Sequence, residues 1–295
     1  MVEDYIISCC STVDLSKKHL ESRNIHYICF HFELDGKEYK DDFGESLSFD
    51  DLYQAMRQGS ETKTSQINAM EYEEYFEEFL KEGKDILHVT ISSGVSGAYN
   101  SANIAKQNLQ EKYPERKIYI VDSLGGSSGS GLLIDEVADL RDQGKTIDEL
   151  QEWIIQNRLK VHHWLFSTDL TFFIKGGRIS KTAGIVGTIL NICPMINVDR
   201  EGKMVPRYKV RGKKKAVEAL VKQMKVDACE GENYDGRCFI CHSGCLEDAK
   251  EVARVIKRHF SNIKGEVIIN NIGTAIGAHS GPGTIGLFSW GNERE

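Results

Sequence analysis

Over the first half of the chain, short apolar runs alternate with helices that carry their own start and stop signals, and this rhythm narrows the fold more than any other feature. Residues 5–8 and 26–32 read as strands. Asn68 then caps a helix whose Tyr72, Tyr75, Phe76 and Phe79 recur at the spacing of one apolar face. Glu71, three residues after Asn68, completes a capping box, and Gly83 ends the helix. A strand over 85–91, a helix over 98–112 closed by Pro114, a strand over 117–121 and a helix over about 131–143 follow. Thr146 and Glu149 form a second capping box ahead of a helix over 147–159. Strands separated by helices of this length predict a parallel sheet covered on both faces.

The rhythm changes in the second half. Strands are expected at 163–170 and 195–199, with a tight turn at Glu201-Gly202 leading into another over 203–210. Helices over 214–228 and 246–260 bracket a strand at 237–241, and strands at 266–271 and 284–290 end the chain. Hairpins are thus mixed with helices. The expected fold is α/β: an N-terminal parallel-sheet domain, residues 1–165, and a C-terminal mixed α+β domain, residues 166–295. At roughly 150 residues per domain, a length of 295 agrees with two.

Charge and composition exclude several functions. Lys and Arg number 37 against 44 Asp and Glu, giving −7 and a pI near 5.8. That argues against nucleic-acid binding, whose phosphate contacts need a basic surface. No apolar run approaches the roughly 18 residues needed to cross a bilayer. The most apolar stretch, 185–198, is broken by Gly187, Asn191 and Pro194. The N-terminus has no basic segment followed by an apolar one, so no signal peptide and a cytoplasmic location are expected. The 8 cysteines then read as buried thiols. Cys238-Phe239-Ile240-Cys241-His242 matches a haem-attachment pattern, but it sits in an apolar strand. Adding Cys229 and Cys245 gives none of the common zinc spacings, so no metal is expected.

Three Gly/Ser-rich loops follow expected strands. Ser92-Ser93-Gly94-Val95-Ser96-Gly97 precedes a helix, where unpaired backbone N–H groups, the helix dipole and hydroxyl donors favour an anion. The second loop, 122–131, contains Gly125-x-Ser127-x-Gly129, the pattern of a nucleophile elbow. A serine esterase using Ser127, with an Asp and His242 or His279, is the alternative this raises. Its oxyanion motif is missing upstream, and a flexible turn is preferred. The third loop, 273–286, sets five glycines around His279 and Pro282, as a backbone held close to something would require. Lys63-Thr64-Ser65-Gln66 adds hydroxyl donors before the capped helix. Arg207 to Lys215 is a basic run whose three lysines open a helix against its dipole, an arrangement that an anionic ligand or acidic partner would relieve.

Taken in order, these segments resemble the DegV family of bacterial fatty-acid-binding proteins. The resemblance rests on Thr64-Ser65-Gln66, on Ser92 through Tyr99, and on Val121-Asp122-Ser123. It continues in Lys175-Gly176-Gly177-Arg178-Ile179, Lys209-Val210-Arg211-Gly212 and Gly277 through Gly286. It implies one long-chain fatty acid held between the two domains, its carboxylate reached by Thr64 (or Ser65), Ser93 and His279, with Arg211 nearby. It also implies a carrier that is not itself an enzyme and needs no cofactor. Such a carrier presents its acyl chain to a separate fatty-acid kinase subunit that forms an acyl phosphate. The partners expected are the fatty acid, that kinase and, transiently, a membrane surface. Two positions depart from the family's pattern. Cys10-Ser11-Thr12 stands where Asp-Ser-Thr is usual, and Cys10 supplies neither the charge nor the acceptors of an Asp. Ile67 replaces the familiar Pro after Thr-Ser-Gln.

Overall fold

The structure, a computed structural model, describes residues 4–180, 191–263 and 267–295. Strand β1 (Tyr5–Cys10) leads through a 3-10 turn into α1 (Lys17–Ser22), and β2 (Ile25–Ile28) returns parallel to it. A small antiparallel sheet follows, in which β3 (His31–Leu34) pairs with β4 (Lys37–Lys40). After α2 (Phe49–Arg57), β5 (Thr62–Ser65) pairs with the other edge of β3. Then α3 (Ala69–Lys81), β6 (Asp85–Thr90), α4 (Ala98–Lys112) and β7 (Ile118–Asp122) complete a parallel sheet in the order β2-β1-β6-β7. Both capping boxes form, at Asn68 and Thr146.

Helices α5 (Ser127–Asp142) and α6 (Ile147–Asn157) lead to β8 (Val161–Phe166), α7 (Thr171–Lys175), β9 (Ile192–Val198) and β10 (Met204–Arg211). Next come α8 (Lys213–Asp227), β11 (Cys238–His242), α9 (Leu246–His259), β12 (Ile268–Asn271), α10 (Thr274–Ser280) and β13 (Ile285–Trp290). These strands form one six-stranded sheet, β10-β9-β8-β13-β11-β12, in which only the β11–β12 pair is parallel. A parallel-sheet α/β part and a mixed part are what the sequence rhythm predicts. The chain passes from one sheet to the other at the 3-10 turn Arg158–Lys160, and the whole of β8 belongs to the second sheet.

The differences have local causes. The strand expected over 26–32 divides because Phe30 leaves the ladder: its N–H donates to Ser11 Oγ (3.1 Å) and its carbonyl accepts from Asp41 N–H (2.8 Å). Helix α5 starts at Ser127, four residues before the expected place, although Gly and Ser are weak helix formers. Tertiary contacts override that propensity. Helix α5 is packed between the sheets, its Leu132, Leu133 and Val137 sharing one core with Ile7 and Leu87 and with Phe239 and Phe288. A helix covered on both sides is apolar all round and shows little amphipathic pattern.

Within the glycine-dense stretch 273–286 the chain forms α10, where a loop was expected. Two buried carboxylates fasten its start. Asp14 accepts from Gly273 N–H (2.8 Å) and from Ser127 Oγ. Asp41 accepts from Thr274 N–H (2.8 Å), Thr274 Oγ1 (2.7 Å) and Ser11 Oγ (2.7 Å). Burial raises the pKa of both acids, and these donors work against that shift. Replacing Asp41 with Ala leaves buried donors unpaired and is expected to cost about 3 kcal/mol of unfolding free energy. Asp41→Asn keeps an acceptor for Thr274 and is expected to cost less; urea denaturation of both variants checks the order.

Candidate ligand-binding site

Residues of the six-stranded sheet, of β5 and of the loops that follow β1, β6 and β7 line a cleft with about 900 Å³ of space between atoms, open solvent at its mouth included. Its walls are mainly apolar and include Ile91, Leu165, Phe173, Met204, Ile276 and Phe288. At one part of this lining three polar side chains meet. Thr64 comes from β5, whose alternation turns Thr64 inward and leaves Lys63 and Ser65 exposed. His279 comes from the last turn of α10. Arg178 follows α7 and is half-buried.

Hydrogen bonding fixes the protons. The Arg178 guanidinium has donors only, so its Nη1 donates to His279 Nδ1 (3.3 Å), as it also does to the Gly176 carbonyl (2.6 Å). The imidazole must then carry its proton on Nε2, which donates to Thr64 Oγ1 (2.6 Å). That leaves the Thr64 hydroxyl proton available to an acceptor in the cleft. Burial, with the Arg178 charge next, pushes the His279 pKa down to about 4, so the ring is neutral at pH 7. The approach is close: a Cβ on Gly176 would overlap His279 Nδ1, so only glycine fits there.

Arg178 Nη2 donates to the Val95 carbonyl (3.1 Å), and no carboxylate among the described residues bonds to this guanidinium. Burial alone lowers its pKa. Ser280 Oγ, also in the lining, is buried without a hydrogen-bond partner among the described residues. A desolvated cation with no counter-ion among the described residues, a polarised hydroxyl and one with no partner among them together suit an anion attached to an apolar body.

The DegV family profile, which describes an uncharacterised protein family, matches residues 7–291. This chain belongs to the DegV family. A DegV domain-containing protein of Clostridium perfringens is 35% identical over 294 residues, covering 100% of both chains. In structure the chain is similar to a fatty-acid-binding DegV protein of Thermus thermophilus, with a TM-score of 0.86 and 25% identity over 98% of this chain and 99% of that one. It also shares its fold with the fatty acid kinase B3 protein of Streptococcus pneumoniae, solved with linoleic acid. There the TM-score is 0.84 and the identity 23%, over 98% of this chain and 100% of that one.

Of the residues the resemblance singles out in this DegV chain, Thr64 and His279 come together at the cleft. Ser65 faces solvent. Ser93 is exposed as well; its N–H donates to Asp122 Oδ1 (3.2 Å), and Ser96 is the serine of that loop in the lining. Arg211 is exposed on the edge strand β10, and Lys213 pairs with Asp248 (2.6 Å). The cation at the cleft is Arg178. Its sequence signal is the Gly176-Gly177-Arg178 string, whose first glycine makes room for His279. Cys10 is buried against Tyr72 Oη (3.3 Å), its pKa pushed up to about 11 by burial, and Ile67 is buried too.

The esterase alternative lacks its base. Ser127 does adopt a positive φ of 54°, but its hydroxyl donates to Asp14 and contacts Cys241 Sγ (3.3 Å), and it bonds neither His242 nor His279. Among the described residues, no three His, Cys, Asp or Glu side chains converge to hold a metal ion. Among them, too, no helix is long and apolar enough to cross a membrane.

His279 supplies a pH test. Its folded pKa of about 4 lies below the unfolded value of about 6.5, so its contribution to stability is complete above pH 6.5 and is lost as pH falls toward 4. An NMR titration of the ring should show no protonation between pH 8 and pH 5.5; a midpoint near 6.5 would contradict the arrangement.

Proposed function

We propose that this protein binds one long-chain fatty acid in the cleft, with its carboxylate at Thr64, His279 and Arg178, and presents it to a separate kinase for conversion to an acyl phosphate. The observation that carries the reading is the half-buried guanidinium of Arg178, without an acidic partner among the described residues, beside an apolar space. Fatty-acid binding by the DegV protein of Thermus thermophilus supports the ligand class. The fold shared with a fatty acid kinase B protein is consistent with presentation to a kinase.

The energetics divide the labour. Burying about fourteen methylenes at ~0.8 kcal/mol each is worth roughly 11 kcal/mol before ordering costs. A charge-assisted hydrogen bond adds about 1.5–3 kcal/mol. The tail therefore sets affinity and the head sets orientation. The Thr64 hydroxyl, fed by a neutral imidazole, donates without protonating the acid, so the carboxylate stays ionised as the nucleophile that phosphoryl transfer needs.

Native mass spectrometry of gently purified protein is expected to show a retained acyl chain. A lipid-free protein that also fails to take up palmitate or oleate would end the proposal. Acyl phosphate should form only when loaded protein, kinase and ATP are combined. Arg178→Met is expected to weaken binding of the acid by about tenfold or more while leaving the matching alcohol nearly unchanged, since only the acid uses the charge. Affinity should also be level between pH 6 and pH 8. A protonated histidine partner would instead lose affinity as pH rises through 6.5.

A further inference from the structure

A second buried guanidinium adjoins the cleft. Arg294 is 5% exposed, and its hydrogen bonds all go to backbone carbonyls. Nη1 donates to Val198 (3.3 Å) and Asp199 (3.2 Å), and Nη2 to Leu124 (2.8 Å) and Arg158 (3.3 Å). These acceptors belong to three separate segments: the end of β9, the β7–α5 loop and the turn between the sheets. Two of the segments form cleft wall, through Val198 and through Gly125, which follows Leu124. The backbone adds bonds from Arg294 N–H to Leu159 (2.9 Å) and from Arg200 N–H to Glu295 (3.2 Å).

The tip of the β9–β10 hairpin, residues 199–203, is a turn tied together by its own side chain. Asp199 Oδ1 accepts from Glu201 N–H (2.9 Å) and Lys203 N–H (2.9 Å), closing the turn on itself. The hairpin forms the edge of the six-stranded sheet, and Val198, Gly202 and Met204 line the cleft. Across the gap to the first sheet it meets the Ser92–Gly94 loop. Ser92 Oγ donates to the Gly202 carbonyl (2.9 Å). Gly202 has a φ of +73°, and a Cβ there would overlap Ser92 Oγ; a Cβ on Gly94 would lie 2.7 Å from the carbonyl oxygens of Glu201 and Gly202. The two edges are thus seated on each other, fastened by polar bonds at Ser92 and Arg294.

We propose that Arg294 is a positioning residue that latches the hairpin tip to the β7–α5 loop and so holds this cleft wall closed over the bound acyl chain, controlling how fast ligand enters and leaves. The proposal rests on the fatty-acid reading above. A latch has a distinct signature. Loosening it leaves Thr64, His279 and Arg178 in place, so entry and exit accelerate together while equilibrium affinity changes little.

The test uses Arg294→Lys, which keeps the charge but loses the planar fork, and Ser92→Ala, which removes the other fastening without touching charge. Stopped-flow fluorescence of cis-parinaric acid gives both rates, and hydrogen exchange reports the amides of 199–203. Arg294→Lys is expected to raise both rates by about tenfold and Ser92→Ala by about threefold, with Kd within about threefold of the unaltered protein and faster exchange at the hairpin tip. Unchanged rates in both variants, or a weaker Kd with the association rate unaltered, would overturn the latch. Should Arg294→Lys fail to fold, Ser92→Ala decides by the same criteria. If the unaltered protein takes up no acid, the fatty-acid reading fails; exchange then decides the latch, unchanged protection of 199–203 overturning it and faster exchange supporting it.

Discussion

Asp14 and Asp41, lying beyond strands of two different sheets, accept the backbone N–H groups that open α10, and the placement of His279 depends on this junction. The helix has seven residues, includes Gly277 and is too short to persist alone. Its position comes from what holds its two ends. At the start are the carboxylates, and Tyr53 Oη adds a bond to the Ile272 carbonyl (2.7 Å). At the far end His279 is bracketed by Thr64 and Arg178. Desolvating two acids is unfavourable, as their raised pKa values indicate, and five donors offset much of that cost. The same polar junction joins the segment after β1, the segment after β4, the start of α5 and the start of α10, so a shift in any of them moves the histidine.

Electrostatics in the interior favour neutral groups wherever the cleft is apolar. His163, in the lining, has its pKa held well below the ordinary value by burial; its ring takes Gly126 N–H on Nε2 (3.3 Å) and meets Phe288 edge-on. His88, buried between Ser8 and Cys10, is pushed down to about 3 for the same reason. Cys241, also in the lining, is a thiol and not a thiolate, since burial pushes its pKa upward. With these groups uncharged, Arg178 is the charged side chain among the described residues that line the cleft.

How much of this could be read from residues follows from which interactions are local. The capped helices α3 and α6 and the parallel strands were legible because their caps and apolar spacing lie within a dozen residues. The start of α5 was not, because its Gly/Ser turn is held by distant partners, Ser127 Oγ to the Asp14 carboxylate and Ser128 Oγ to the Asp14 carbonyl (3.0 Å), and by packing between two sheets. Helix α10 was hidden for the same reason, its anchors lying more than 230 residues away at Asp14 and Asp41. At the site, His279 and Thr64 stood out by motif. Choosing between Thr64 and Ser65, or between Ser93 and Ser96, needs the direction of each side chain, which strand register and loop path determine.

The buried Arg294 and the half-buried Arg178 differ in how their donors are used. In Arg294 the Nη groups are spread over four carbonyls from three segments, leaving only Nε without a partner. A guanidinium used in this way joins backbone to backbone, and its pKa falls to about 10 through burial. Among the described residues Arg178 bonds two carbonyls and one imidazole nitrogen, which does not exhaust its five N–H groups. Arg178 lines the same apolar space as Thr64 and Ser280. Under the fatty-acid proposal, Arg178 gains from an incoming anion what Arg294 already obtains from its own chain, so the same residue type serves the proposed latch in one place and the proposed head-group contact in the other.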